Sequence, residues 1–250
     1  MAANIFQQQP GIYDALIDWP KRLANETPFY RSLFERYCVR RVLDVACGSG
    51  HHAAMFHEWG LDAEGSDGSP AMIALCRSRC GESPTLRWSQ RAFDEPQGSP
   101  GSYDAAICVG NSLALAPDLA AVERVIGQML AAVRADGVCL WQVVNLWHLP
   151  DGPCVWQKCK RVSVDGQDMV LVKGIHRAGE RGFVELVAAV LTDDAATPTY
   201  ETVTFLGLQP RWLMQVAERC GARRVACFGN YQQSEYQVEK SPDIVLVAEK

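Results

Sequence analysis

The stretch Arg41-Val42-Leu43-Asp44-Val45-Ala46-Cys47-Gly48-Ser49-Gly50 decides how this chain is read. Arg41 to Ala46 is a short apolar run, broken by Asp44, that ends in a glycine turn. A run of that length bounded by glycine predicts a buried strand, and His51 to Glu58, closed by Gly60, follow as a helix. A strand feeding Gly48-x-Gly50 and then a helix lets a ligand approach the backbone at the helix N-terminus. Continued to Ala53, the spacing G-x-G-x-x-A also meets the relaxed dinucleotide fingerprint, so an NAD-dependent oxidoreductase stays open on this pattern alone. No G-K-[ST] follows, which excludes a P-loop.

Asp44 separates the candidates. At the carboxyl end of the first strand its carboxylate crowds any pyrophosphate, whereas a ligand carrying ammonium and sulfonium charge is attracted to it. The competing structural role is a cap on the amides of the turn. Asp67, at the end of the next strand, suits the diol of a ribose whichever nucleoside is bound.

Outward from this turn the pattern repeats. Leu61 to Ser66 is a weak strand reaching Asp67, Pro70 to Arg79 a helix, Thr85 to Ser89 a strand and Gln97 to Ser102 a loop. Tyr103 to Val109 is a strand, Leu119 to Val133 a helix and Val138 to Val144 a strand. This alternation predicts an α/β, Rossmann-like, doubly wound and mostly parallel sheet with helices on both faces. Upstream, Ile12, Leu16, Trp19, Leu23 and Phe29, Leu33, Phe34, Tyr37 recur at helical spacing, with Pro20 and Pro28 cutting the segment into short helices. After Asn145 four strands follow, Cys154 to Val164, Met169 to His176, Phe183 to Leu191 and Thr199 to Leu206, joined by turns such as Val164-Asp-Gly166. They read as an inserted antiparallel sheet, after which a helix at Pro210 to Cys220 and strands near Arg224 to Phe228 and Asp243 to Ala248 complete the core. The expected organisation is a helical N-terminal cap over 1–40, a core over 41–148 and 207–250, and the insertion over 149–206 acting as a substrate lid.

The 250 residues are 48% hydrophobic and 21% charged, ordinary for a globular chain. Twenty-four Lys and Arg against 29 Asp and Glu give −5, the wrong sign for a protein that holds nucleic acid by phosphate neutralisation. Ten cysteines with no C-x-x-C pair, several among apolar neighbours, predict free thiols in a reducing, cytoplasmic compartment. Neither a secretory signal nor a membrane span is expected from the apolar runs.

Leu43-Asp-Val-Ala-Cys-Gly-Ser-Gly50 with Asp67 resembles the class I S-adenosylmethionine-dependent methyltransferases, and Tyr103-Asp104 leading into Cys108-Val-Gly-Asn-Ser-Leu113 matches their fourth strand. The likeness is strong over about 40–145 and looser to either side. It implies that Gly48 and Gly50 pass under the methionine portion of S-adenosylmethionine, that Asp67 binds the ribose, and that Ser69 and Met72 flank the adenine. Ala46, Gly68 and Val109 complete that cofactor set. Where the wider family often has an Asp to meet the adenine amine, this chain has Ala92, followed by Phe93, which is placed to stack on the ring.

Within the superfamily the chain is most similar to the glycine/sarcosine N-methyltransferase-like branch, on its N-terminal tyrosine and arginine segment, Gly110-Asn-Ser112 and the inserted sheet. By that resemblance Arg22 pairs with the methionine carboxylate, Tyr13 closes over the methyl centre and Asn111 faces the acceptor. The glycine-using enzymes hold the substrate carboxylate with an arginine just beyond the fifth strand. Here that stretch is Gln142-Val-Val-Asn-Leu-Trp147, so glycine is not the expected acceptor.

His51-His52-x-x-x-x-His57 has poor register for a metal and no completing cluster, so no metal is expected. Asn145, Trp147 and His148, beyond the fifth strand, are the candidate acceptor residues, with His148 as base or anchor and Trp147 as an aromatic wall. The expected reaction is methyl transfer to a small molecule, first to an amine nitrogen, with oxygen or sulfur as alternatives and a non-catalytic regulator that binds the cofactor as a further one. N-P-P-[YF] is absent after the fourth strand, which argues against methylation of nucleic-acid bases. Monomer and homodimer both stay open.

Overall fold

The computed structural model describes residues 10–93 and 95–250, without the side chains of Pro10 and Tyr13. The helices are α1 (Pro10–Leu16), α2 (Trp19–Arg36), α3 (His51–Glu58), α4 (Pro70–Cys80), α5 (Leu119–Ala132) and α6 (Pro210–Arg219). The strands are β1 (Arg41–Val45), β2 (Asp62–Asp67), β3 (Leu86–Gln90), β4 (Tyr103–Cys108), β5 (Val133–Val144), β6 (Val155–Val164), β7 (Gln167–Ala178), β8 (Arg181–Leu191), β9 (Ala196–Leu206), β10 (Arg224–Phe228) and β11 (Asp243–Glu249).

Strands β10-β11-β5-β4-β1-β2-β3, in that order, form a 7-stranded sheet. From β5 to β3 neighbouring strands are parallel, as the strand–helix alternation predicts, while β11 runs antiparallel to β5 and β10 to β11. One face buries Val122, Val125, Ile126 and Met129 of α5 with Leu213 and Val216 of α6. The other buries Phe29, Tyr30 and Phe34 of α2, Phe56 of α3 and Ile73 of α4. Covered on both sides, β1 lies in the middle, and Val42, Leu43, Asp44 and Val45 are all buried. The antiparallel direction of β11 starts that strand where the parallel strands end, so Asp243 stands opposite Val144 at the carboxyl edge of the sheet.

Two expectations are corrected. Pro28 does not cut the N-terminal segment: α2 runs unbroken for 18 residues with Pro28 inside it. Proline costs a helix hydrogen bond, but Glu26, Phe29, Tyr30 and Phe34 are buried on either side of it and hold the helix against the sheet. Pro20, by contrast, lies in the first turn, where it is tolerated. The fifth strand also begins at Val133 rather than Val138, because the chain turns extended at Val133 as soon as α5 ends.

The insertion is a 4-stranded antiparallel sheet, order β6-β7-β8-β9, as expected. Ile12 and Leu16 of α1 pack on it with Val164, Met169, Leu171, Leu186 and Ala188, so the N-terminal helix and the inserted sheet share a small core of their own. Among the described residues no helix is long and apolar enough to cross a membrane.

Candidate active site

The glycine turn leaves β1 through three left-handed residues, Ala46 (φ 55°), Gly48 (φ 54°) and Gly50 (φ 82°), the last capping α3 without a side-chain bond. Gly50 is needed for a reason the sequence does not show. A Cβ there would lie 2.7 Å from Trp88 and 2.8 Å from Cys76, and Trp88 likewise fills the space beside Gly65 of β2, at 2.6 Å. Trp88 is 2% exposed, with its indole donating to the Gly81 carbonyl at 2.7 Å. Gly50 and Gly65 thus make room for a tryptophan from β3, and neither the motif nor the periodicity marks it.

Asp44 and Asp67 divide the work at the turn. Asp67 accepts from the Gly48 amide at 2.9 Å and the Ser69 amide at 2.8 Å, fastening the glycine turn to the start of α4. Ser69 then caps α4 by accepting from Met72 N at 3.3 Å. The Gly48 amide is therefore held by Asp67, and the capping role open to Asp44 is confined to the Ala53 backbone N–H in the first turn of α3. Asp44 is 2% exposed, and its Oδ2 is buried without a hydrogen-bond partner. Burial, then the neighbouring Asp67, pushes its carboxyl up to about 8, against a smaller relief from the Ala53 backbone N–H and Arg22. Burial raises Asp67 as well.

Beyond Asp67, Gly68 is exposed and Met72 is buried. The loop after β3 is gathered by the buried Gln97, which accepts from Ser66 Oγ at 3.1 Å and donates to the Ala92 carbonyl at 3.0 Å. Ala92 is exposed, Phe93 is packed against the main core and Val109 is buried just after β4.

The N-terminal helices reach the same edge. Asp14 of α1 accepts from Ser49 of the turn and Trp19, and pairs with Arg79 and His51. His51 stacks on Trp19 with centroids 3.9 Å apart. In α2, Arg22 Nε pairs with Glu26 Oε1 at 2.8 Å, and Glu26 Oε2 meets His52 Nε2 at 2.7 Å. Burial pushes the Glu26 carboxyl up, but His52 and Arg22 outweigh it and hold it below its ordinary value. These two histidines are thus engaged with carboxylates of the cap. The Tyr13 side chain lies outside the described residues.

On the acceptor side, Gly110 (φ 75°) and Asn111 (φ 69°) form a second left-handed turn after β4. The Asn111 side-chain oxygen accepts from Val144 N at 2.9 Å, so half of this amide ties β4 to β5. Gln142 accepts from Gly110 N at 2.7 Å and donates to Asp243 at 2.7 Å. Asn145 does not line a pocket. It is fully buried, donating to the Val238 and Ser241 carbonyls and accepting from Trp147 N and Tyr236. All its polar capacity is spent on the loop that leads into β11, which corrects the expectation that it faces the acceptor. Trp147 is half-buried with its indole N–H unpartnered, and His148 is exposed, its Nδ1 at 2.9 Å from the Glu239 carbonyl.

A methyltransferase-domain family model matches residues 42–137, which spans the glycine turn, Asp67 and the Gly110-Asn111 turn. The chain is 27% identical over 241 residues to a glycine/sarcosine N-methyltransferase of Parasynechococcus marenigrum, covering 95% of this chain and 81% of that one. The chain is a class I S-adenosylmethionine-dependent methyltransferase. This methyltransferase is also 28% identical over 175 residues to the human glycine N-methyltransferase, but there it covers 61% of this chain and only 55% of its relative. In fold it is similar to the sugar N-methyltransferase KedS8 from Streptoalloteichus, with a TM-score of 0.74 at 22% identity over 91% of this chain and 87% of that one. The carboxyl edge of the methyltransferase fits its cofactor. An unpartnered, buried carboxyl oxygen at Asp44 fits a cationic ligand, and S-adenosylmethionine brings both an ammonium and a sulfonium. NAD, with a pyrophosphate to place beside Asp44, does not fit.

Proposed function

We propose that this methyltransferase methylates an amine nitrogen of a small molecule, and that the edge described above is its active site. The observation that carries the cofactor half is Asp44, whose Oδ2 is buried without a hydrogen-bond partner. In this reading Asp44 meets the ammonium and Arg22 the carboxylate of the methionine portion, with Ala46, Gly48 and Gly50 beneath it. Asp67 and Gly68 hold the ribose, while Ser69, Met72, Ala92, Phe93 and Val109 enclose the adenine. The cofactor supplies a methyl group on a sulfonium, already activated for displacement. The protein has to align the nucleophile, exclude water and deal with a proton.

For the acceptor we assign Asn111, Trp147 and His148 as lining, with Tyr13, α2 and the inserted sheet closing over it. The relatives named above are N-methyltransferases of glycine, of sarcosine or of a sugar, which supports nitrogen over oxygen or sulfur. Glycine itself fits poorly, since no arginine follows β5. Ten free thiols support a reducing cytoplasm as its location.

Calorimetry with S-adenosylhomocysteine and NAD, followed by an acceptor panel of amines, alcohols and thiols, tests the reading. Tight binding of S-adenosylhomocysteine, none of NAD, and turnover of an amine are expected. Turnover confined to alcohols or thiols would replace the nitrogen assignment, and binding without any turnover would favour the regulator.

A further inference from the structure

Three carboxyl groups are pushed above their ordinary range, Asp44, Asp67 and Asp243, in each case first by burial. All three stand at the carboxyl edge of the parallel strands: Asp44 near the end of β1, Asp67 at the end of β2, and Asp243 opposite Val144 at the end of β5. Two of them have a part in holding the cofactor. The third is too far along the sheet to share that role, because β4 and β5 separate it from β1.

Asp243 is built into place. Its Oδ1 accepts from Gln142 Nε2 at 2.7 Å, and the other end of the same buried amide holds the Gly110 N–H at 2.7 Å. Gln142 therefore fixes one carboxylate oxygen and, with Asn111 bonded to Val144, the whole Gly110-Asn111 turn. The second oxygen of Asp243 has no hydrogen-bond or ion-pair partner among the described residues. The groups facing it are Gln142 of β5, Arg22 and Glu26 of α2, His148 of the turn after β5, and Tyr231. Of these groups, Arg22 is paired with Glu26 and His148 is bonded to the Glu239 carbonyl. A half-buried carboxylate with one oxygen pinned and one free, at the ligand edge of an open sheet, is a receptor for a cation or a proton donor.

We propose that the free oxygen of Asp243 binds the acceptor's amine as its ammonium and takes one proton from it. The step is a proton transfer alone. An N–H bond of R–NH3+ breaks, an O–H bond forms on Asp243, and the electron pair stays on nitrogen, which becomes the nucleophile; the proton passes to water when the product has left. Burial holds the free carboxyl up to about 6, which brings it closer to an amine in proton affinity than an ordinary aspartate. The acceptor site so described recognises a cationic amine through an aspartate of the last strand, where a carboxylate-binding arginine after β5 is missing.

The proposal rests on the amine reading, and the test separates the two. Wild type and Asp243→Asn, both loaded with S-adenosylhomocysteine, are titrated calorimetrically with ethanolamine, sarcosine and glucosamine between pH 5 and 7, and turnover is measured with the same probes. Asp243→Asn is expected to keep S-adenosylhomocysteine affinity within about twofold, to lose about tenfold or more in affinity for the amine that wild type binds, and to lose its rise with pH. Unchanged amine affinity and an unchanged pH profile in the variant overturn the role of Asp243 and leave amine methylation standing. If the variant does not fold, a wild-type amine affinity that is flat from pH 5 to 7 overturns it equally. Turnover of alcohols or thiols with no amine bound overturns both.

Discussion

The two edges of the 7-stranded sheet treat carboxylates in opposite ways. At the amino edge, Asp62 at the start of β2 pairs with Arg87 at 2.6 Å and Arg41 at 3.5 Å. Asp104, near the start of β4, accepts from the amides of Arg40 and Arg41 at 2.8 Å each and pairs with Arg134 at 2.6 Å. Although burial alone would raise Asp104, Arg134 and the two amides hold it below its ordinary value. At the carboxyl edge, Asp44, Asp67 and Asp243 form no salt bridge with an arginine or lysine among the described residues, Arg22 relieves Asp44 and Asp243 only in part, and all three are raised. The first set stabilises the fold. The second is costly to ionise in the ligand-free protein, and a ligand bringing cationic or hydrogen-bond-donating groups offsets that cost.

The sharpest way to break this contrast is Asp44→Asn, which removes the charge and keeps the shape. Affinity for S-adenosylhomocysteine is expected to fall by about a hundredfold or more, in line with the ~2–5 kcal/mol lost when one partner of a buried charge pair is removed. The melting temperature of the ligand-free protein should stay level or rise, because no buried carboxylate is left to ionise. A variant that bound as well as wild type would place Asp44 among the structural carboxylates.

Asp104→Asn is the mirror experiment, with a smaller effect. It takes the charge from a group bonded to two amides and one guanidinium, so a stability loss of about 1–3 kcal/mol is expected in denaturant unfolding. Affinity for S-adenosylhomocysteine should not change, since Asp104 stands at the far end of the strand. Weakened binding at full stability would show that the two edges are not independent.

Much of the carboxyl edge could be read before the fold was seen. The strand–glycine turn–helix pattern, Asp44, Asp67 and the alternation that makes the sheet parallel are all local signals within a few residues of one another. What could not be read depends on contacts distant in the chain. Trp88 fills the space under Gly50 from another strand, so the glycine looked like a ligand feature alone. Asn145 sits where a polar side chain after β5 suggests an acceptor contact, yet the loop ending at Ser241 folds back and uses every atom of it. Asp243 lies in Ser241-Pro-Asp-Ile-Val-Leu-Val247, where it reads as the first residue of an ordinary strand. Only the antiparallel direction of β11 brings it to the ligand edge. Pro28 misled for a related reason: the local cost of a proline was plain, but the burial on both sides that outweighs it was not.

The smallest expected effect is the pH slope of stability, and it discriminates between the edges without any mutation. A carboxyl raised in the folded state holds its proton longer than in the unfolded chain, so the folded state is penalised as pH rises from the unfolded value of 3.8 through the folded one. For Asp243 that interval ends at about 6 and for Asp44 at about 8. For Asp104 and Glu64 the sign reverses: both are lowered, so their stabilisation is complete above the unfolded values of 3.8 and 4.5 and is lost as pH falls through the folded ones. Thermal melts of the ligand-free protein should therefore show stability declining from about pH 5 to pH 8, with a separate loss below about pH 4. Saturating S-adenosylhomocysteine, which gives Asp44 a cation, should flatten the upper decline and leave the acid limb as it was. A ligand that lifted the whole curve evenly would mean that Asp44 does not change its proton on binding, and the contrast between the two edges would then reduce to burial alone.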